Sequence, residues 1–227
     1  MTITTPSLTR AAGICAAIAG LLFIAVQINH PPMDVASTTT TDWVVRSIAK
    51  AVMAALALAG ITGMYLRQVR RTGMLGLAGY LLLGAGYLVI LSIEVIAAFV
   101  LPVVAHTSPA YVNDLVTAAA GGTPTGDIGG MQTVFAISGV AYMAGGLLFG
   151  IALFRAHVLA RWAAALLALG TVATAALAVL PASFNRPFAV PTGVALIGLG
   201  ISLWRDQRNT APQTAPATSR VEPVAVR

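Results

Sequence analysis

Residues 48–100 read IAKAVMAALALAGITGMYLRQVRRTGMLGLAGYLLLGAGYLVILSIEVIAAFV. Two long apolar runs are separated here by a short segment that contains Arg67, Arg70 and Arg71. A helix needs about 20 apolar residues to cross about 30 Å of hydrocarbon, and each run meets that length. The stretch therefore predicts two membrane-spanning helices that are joined by a basic turn.

The rest of the chain has the same character. Of its 227 residues, 58% are hydrophobic and 9% are charged, whereas about 25% of the residues of an average soluble domain are charged. So few polar side chains cannot cover the surface of a soluble globule. Six apolar runs meet or approach the length of a span, at about residues 11–28, 43–66, 73–103, 131–154, 159–180 and 188–204.

These runs predict an all-α, polytopic bundle of six transmembrane helices within residues 1–205. The first run is longer than the apolar part of most signal peptides, and no clear small-residue cleavage site follows it, so we interpret it as a retained span. Residues 206–227 are rich in Pro, Thr and Ala. Such a segment cannot bury enough apolar surface to offset the entropy of ordering, so we expect a disordered tail.

Basic residues are unevenly distributed between the two ends of the predicted spans. Alternate extramembrane segments contain Arg10, then Arg67, Arg70 and Arg71, then Arg155 and Arg161, then Arg205 and Arg208. The segments between them contain only Arg186 as a basic residue besides histidine, together with four aspartates. Because cytoplasmic loops are enriched in Lys and Arg, this pattern predicts that both termini are cytoplasmic.

The connection at about residues 105–128 is the longest. Ser108 followed by Pro109 is typical of an N-cap and a first helical position, so a short surface helix is expected at about residues 111–120. The glycines that follow favour a flexible segment that could act as a lid. Span 3 is longer than a perpendicular crossing requires and is expected to tilt, to bend near Gly84 and Gly86, or to project into the cytosol.

Small residues recur at four-residue spacing in three of the spans. Such stripes favour close helix packing within lipid, either inside the subunit or against a partner membrane subunit. They comprise Ala12, Ala16 and Gly20 in span 1, Ala51, Ala55, Ala59 and Gly63 in span 2, and Gly146 and Gly150 in span 4.

Three ionisable residues, Arg46, Lys50 and Glu94, lie in or near the predicted hydrocarbon. A charge at mid-membrane costs roughly 2.5–3.5 kcal/mol on insertion scales, so such residues usually face the protein interior and pair. Lys50 and Glu94 each lie about 12 Å below the same boundary, at 1.5 Å per residue. Because consecutive elements are usually neighbours, an ion pair between them is predicted, with Arg46 as the rival partner.

Further polar residues are expected to surround the pair at the same end. Tyr80, Tyr87 and Glu94 recur every seven residues, which places them nearly on one stripe of span 3. The candidate ligand-binding residues of an outward-facing polar pocket are Glu94, Lys50, Arg46, Tyr87, Gln27, His30 and Gln132. The alternative interpretation is that Lys50 and Glu94 only neutralise one another. No catalytic residue, metal ligand set or cofactor motif is identified.

The segment Gly145-Gly146-Leu147-Leu148-Phe149-Gly150, with Leu153-Phe154-Arg155 and then Val158-Leu159-Ala160-Arg161-Trp162, resembles a pattern of uncharacterised bacterial six-span integral membrane proteins of domain-of-unknown-function type. In them a glycine-rich span ends in an arginine-containing turn, and Arg-Trp opens the next span. Proline usually precedes Arg-Trp in that pattern, whereas Ala160 stands here. The resemblance implies a bacterial inner-membrane protein and transfers no activity.

Three functions remain open from the sequence. The first is a protein that binds or transports a small molecule through the outward-facing pocket; in size and span number the chain resembles the substrate-binding subunits of vitamin transporters. The second is a membrane-embedded enzyme for a lipid-soluble substrate, with Glu94 as acid or base. The third is a structural membrane protein without a ligand. The lipid bilayer is the expected partner in each case, and nucleic acid is not, because the basic residues are scattered at span ends.

Overall fold

The computed structural model describes residues 4–178 and 186–209, and within these ranges the regular secondary structure is helical throughout. The helices are α1 (Thr5–Ala25), α2 (Val35–Thr38), α3 (Thr41–Phe99), α4 (Leu101–Thr107), α5 (Pro109–Ala119), α6 (Met131–Ala156), α7 (Arg161–Ala173) and α8 (Ala189–Asn209). A short 3₁₀ segment, Thr174–Ala178, continues α7. The all-α prediction is confirmed.

Three of the described helices, α1, α3 and α6, are long and apolar enough to cross a membrane. Helix α3 has 59 residues and folds back on itself, because Gln68 (φ −135°, ψ 23°) and Gly73 (φ 56°, ψ −154°) leave the helical conformation. The positive φ of Gly73 favours glycine, which has no Cβ to clash. The basic segment of the sequence thus forms a turn between a first arm, residues 41–67, and a second arm, residues 74–99.

Six helical segments form a ring in chain order: α1, the two arms of α3, α6, α7 and α8. Helix α1 closes the ring, because it packs against both the first arm and α8. A Cβ added to Gly13 would lie 2.8 Å from the carbonyl oxygen of Gly200, and one added to Gly60 would lie 2.7 Å from the Cβ of Ala16. Backbones therefore meet at close range on both faces of α1.

The second arm of α3 packs against α6 in the same manner. A Cβ on Gly86 would lie 2.9 Å from the backbone nitrogen of Tyr142, and Gly79 faces the backbone of Phe149. Of the three alternatives expected for span 3, the bend near Gly84 and Gly86 is absent, since both residues lie within regular helix. Gly86 is used for close packing instead, because any side chain there would push α6 away.

The predicted small-residue stripes have different outcomes. Ala16 and Gly20 are buried in α1, and Gly150 of α6 lies close to Ala168 of α7, so the stripes in spans 1 and 4 are helix contacts within the chain. The stripe in span 2 is not an internal face, so its packing against a partner subunit stays a prediction. Of its four residues only Gly63 is buried; Ala51 is half-buried, and Ala55 and Ala59 are exposed. They remain open to lipid or to a partner subunit.

One end of the ring, here called the cap end, carries α2, α4 and α5. A second apolar cluster that includes Trp43, Leu101, Val112 and Val116 holds these short helices on the bundle. The predicted short helix is present as α5, but Ser108 makes no side-chain capping bond. The predicted flexible segment is also tied down, because the Asp114 carboxylate accepts hydrogen bonds from the Thr125 and Gly126 backbone.

The other end, here called the arginine end, contains the turn of α3, the α6–α7 connection and the end of α8. The backbone N–H of Ala160 donates to Ser202 Oγ at 2.9 Å. Proline has no N–H to donate, so alanine at this position allows a bond that the usual proline would lose. Helix α8 continues to Asn209, and Asp206 pairs with Arg67. The start of the predicted disordered tail at residue 206 is therefore too early. The remaining tail, 210–227, and the end of predicted span 5 lie outside the described residues.

The glycine contact between α1 and α8 predicts an asymmetry between two Gly→Ala substitutions. A Cβ on Gly200 would lie 2.5 Å from the Gly13 carbonyl oxygen and 2.7 Å from the Ala17 nitrogen, whereas a Cβ on Gly139 meets nothing within 4 Å. Gly200→Ala should lower the free energy of unfolding by about 1–3 kcal/mol, as overpacked cores do. Gly139→Ala should leave it unchanged or higher. Reversible unfolding in mixed micelles measures both, and equal values for the two variants would contradict the packing.

Candidate functional site

The two arms of α3 bring Lys50 and Glu94 together inside the ring. Lys50 Nζ lies 3.5 Å from Glu94 Oε1, and the two side chains are 17% and 16% exposed. The hydroxyl of the buried Ser47 is a further hydrogen-bonding neighbour of the carboxylate. The predicted ion pair is confirmed.

Aromatic side chains hold the arms in the register that makes this pair. The rings of Tyr65 and Tyr80 stack with their centroids 4.7 Å apart, and the hydroxyl oxygens of Thr62 and Tyr80 are 3.1 Å apart. At the cap end Trp43 Nε1 donates to the Ala97 carbonyl oxygen at 3.0 Å. The contacts on the arginine-end side and on the cap-end side of the ion pair therefore fix the same antiparallel alignment of the two arms.

Arg46 is not the rival partner of Glu94, and that prediction is wrong. Its Nε lies 2.9 Å from both carboxylate oxygens of Asp42, one helical turn away. Its Nη1 donates to the carbonyl oxygens of Val26 (3.2 Å) and Ile28 (2.8 Å). These carbonyls follow the end of α1 and have no helical donor. Arg46 thus joins the end of α1 to α3.

Arg186, which precedes α8, reaches the same region. Its Nη1 donates to Gln27 Oε1 at 3.1 Å, and its Nη2 lies 3.0 Å from His30 Nδ1. The pKa of His30, which follows α1, is lowered to about 4, chiefly by burial and to a smaller extent by the nearby cations Lys50, Arg186 and Arg46. The imidazole is therefore neutral at pH 7. Nδ1 can accept from Arg186 or donate to the Pro31 carbonyl oxygen at 2.8 Å, one at a time.

A cavity of about 260 Å³ lies among these groups at the cap end of the ring. Its polar wall consists of Gln27, Lys50, Glu94, Tyr142, Thr174 and Arg186, and its apolar wall consists of Phe23, Val26, Met53, Ile90, Phe188 and Ala189. A second cavity of about 520 Å³ shares Tyr142, Thr174 and Arg186 and extends to Ala119, Ala120 and Gly121 at the end of α5. The segment expected to act as a lid therefore borders the second cavity.

The charges around the first cavity do not cancel. Lys50 balances Glu94, and Arg46 balances Asp42. Arg186 has only the neutral side chains of Gln27 and His30 as hydrogen-bond partners, and no carboxylate of the described residues lies within 4 Å of it. Burial and the neighbouring Arg46 lower its pKa, which reflects the cost of holding a cation there. One unit of positive charge is left uncompensated.

Of the predicted pocket residues, Arg46 and His30 lie next to the cavity without lining it, and Tyr87 and Gln132 do not reach it. Tyr87 is fully buried beneath Tyr142, with the rings edge-to-face at 5.9 Å, so its side chain faces the interior but not the pocket. Gln132 lies exposed in the first turn of α6, away from both cavities. Tyr87 and Gln132 lie away from the cavity because the cavity is on the side of α3 that faces α1 and α8.

Gln27, Lys50 and Glu94 do line the cavity, and His30 supports it through Arg186. The sequence reasoning missed Arg186, Tyr142 and Thr174 as lining residues. A signal existed for Arg186, which is the one arginine in the three extramembrane segments predicted to lie outside. Because arginine is depleted on that side of a membrane protein, its presence there favours a specific contact.

The ion pair predicts strong coupling between two substitutions. Glu94→Gln should destabilise the protein by roughly 3–5 kcal/mol, because it leaves the Lys50 ammonium without its partner. Lys50→Met in the Glu94→Gln background should restore part of the loss, since two neutral groups need no opposite charge. A double-mutant cycle in nanodiscs measures the coupling directly. Additive effects would show that the two side chains do not interact.

No protein-family model matches the chain, and neither a curated protein nor a solved structure is significantly similar to it. The resemblance of residues 145–162 to six-span bacterial membrane proteins accordingly stays a prediction. The geometry of the cap-end cavity is the remaining guide to function.

Proposed function

We propose that this chain is a six-span membrane protein that binds a small organic anion in the cap-end cavity. In this proposal the cap end faces the outside of a bacterial inner membrane and both termini are cytoplasmic. The excess of arginine at the opposite end supports that orientation. The antiparallel order of the six ring segments is consistent with six crossings.

The observation that carries the proposal is the uncompensated Arg186 guanidinium at the cavity wall. A partly buried charge without a counter-charge is costly, so a bound anion would be stabilised there. Guanidinium groups present a planar set of donors that matches a carboxylate in a bidentate arrangement. Gln27 orients the group by accepting a hydrogen bond from Nη1, and His30 accepts one from Nη2 in the tautomer that leaves Nδ1 unprotonated. A monocarboxylate would complete the charge balance.

The walls and the volume narrow the ligand further. Phe23, Met53 and Ile90 give the cavity an apolar side opposite the charged groups. Ligand pockets for drug-sized molecules are about 300–1,000 Å³, so a cavity of about 260 Å³ suits a smaller compound. The ligand class that fits is a short monocarboxylate with an aliphatic or aromatic part.

Binding is favoured over transport and over catalysis. Tyr87 and Leu83, fully buried on the arginine-end side of Glu94, fill the interior of the ring beneath the cavity. Among the residues that the structure describes, Glu94 is the one carboxylate that lines the cavity. It is paired with Lys50, and acid–base chemistry would need a second acid. Transport would require these buried side chains to move.

Ligand-dependent stability tests the proposal. The purified protein in zwitterionic nanodiscs is heated with butyrate or benzoate, and in parallel with butanamide or benzamide, which have nearly the same shape without the charge. The acids should raise the Tm in proportion to ligand occupancy, and the amides should not.

Arg186→Gln should abolish the rise in Tm with the acids while leaving the unliganded protein at least as stable, because it removes an uncompensated charge. Arg10→Gln, at the other end of the bundle beside Trp204, is the matched control and should keep the response. If no acid stabilises the protein, or if Arg186→Gln responds like the natural chain, the proposed function is wrong.

A further inference from the structure

A further polar cavity, separate from the two at the cap end, lies at the arginine end and has a volume of about 520 Å³. Its walls come from the turn of α3, the α6–α7 connection and α8. The residues that matter for its chemistry are Arg67, Gln68, Arg70, Arg71, His157 and Asp206. None of them belongs to the cap-end site.

The cavity carries a net positive charge. Arg67 is engaged with Asp206, with Nε 2.6 Å from Oδ2 and Nη2 3.4 Å from Oδ1. That contact neutralises the one carboxylate that would repel an anion. Arg70 and Arg71 are exposed, and neither makes an ion pair within the described part of the chain. Two guanidinium groups are thus available to a ligand, with the exposed His157 beside them.

Gln68 is the second, independent sign of a ligand. Its side chain is 2% exposed, and within the described residues both its Nε2 and its Oε1 lack a hydrogen-bond partner. The non-helical backbone of Gln68, with φ −135°, belongs to the turn of α3 that forms the cavity wall. Buried amides are normally hydrogen-bonded, so the Gln68 amide, closed to solvent beneath the cavity wall and without a partner on either atom, points to a missing group that it meets when its side chain turns toward the cavity. That group must both accept and donate a hydrogen bond.

We infer that this cavity binds a phosphate group that has a hydroxyl group next to it. The phosphate oxygens accept from Arg70, Arg71 and Gln68 Nε2, and the hydroxyl donates to Gln68 Oε1. Basic pockets between membrane helices are suited to anionic lipid headgroups, and phosphatidylglycerol has this combination of phosphate and hydroxyl. Inorganic phosphate at neutral pH carries the same two functions, so the lipid and the free ion are separate arms of the test.

The test uses the full chain in nanodiscs. Thermal stability is measured in phosphatidylcholine alone, in phosphatidylcholine with phosphatidylglycerol, and in phosphatidylcholine with added inorganic phosphate. Native mass spectrometry of the same samples counts retained lipids. Phosphatidylglycerol should raise the Tm and be retained. A rise with inorganic phosphate as well would show that the free ion suffices; a rise with the lipid alone assigns the site to the headgroup.

Three variants make the test specific. Arg70→Ala combined with Arg71→Ala should weaken retention of phosphatidylglycerol about tenfold or more. Gln68→Leu should also weaken it, yet should raise stability in phosphatidylcholine, because the unpartnered amide is gone. Arg155→Ala removes an exposed arginine of the same end that does not line the cavity, and should behave like the natural chain.

Two results would overturn the inference: equal stability in all three lipid and phosphate conditions, or equal loss of retention in Arg155→Ala and in the Arg70/Arg71 double variant. Arg186→Gln should retain phosphatidylglycerol fully. A failure at the cap end is thereby distinguished from a failure here.

Discussion

The ion pair between Lys50 and Glu94 is the constraint on which the rest of the structure depends. Two charges placed within an apolar helical ring must meet, because either one alone would be strongly destabilising. Their meeting aligns the two arms of α3, and the aromatic contacts of Tyr65 with Tyr80 extend the same alignment toward the arginine end. Helix α1 then packs on one arm and α6 on the other, each through glycines that allow close backbone approach.

The two ends of the bundle differ in how their charges are balanced. At the cap end the cations Arg46 and Lys50 are paired with carboxylates, and short helices with an apolar cluster cover the ring. Arg186 is the exception, and it lies where a cavity meets both α1 and α8. At the arginine end the cations are numerous, and Asp206 pairs with Arg67. At both ends, unbalanced positive charge lies beside a cavity, so an anion is proposed at each end. The two proposed anions differ in chemistry and reach the protein from opposite sides of the membrane.

Local pattern and depth were enough to predict the α3 hairpin, the pairing of Lys50 with Glu94 and the glycine face of α6. They could not predict which face of the first α3 arm is internal, since lipid is as apolar as the protein interior and Ala55 differs little from Ala54. Arg186 and Gln27 are 159 positions apart in sequence, so their contact depends on the closure of the ring by α1 and α8. The seven-residue spacing of Tyr87 and Glu94 predicts that both lie on the same face of the helix. It does not predict how far a cavity extends along that face.

Water access to the cavity tests the central claim most directly. In a Cys15→Ala background, Ile90→Cys places a thiol in the cavity wall, and Leu88→Cys places one at nearly the same depth on the exposed face of the same arm. A membrane-impermeant thiol reagent applied outside intact cells should label Ile90→Cys much faster than Leu88→Cys, because only the cavity holds water. Benzoate should slow that labelling. Equal rates at the two positions, or labelling only from the cytoplasmic side, would contradict an outward-facing cavity.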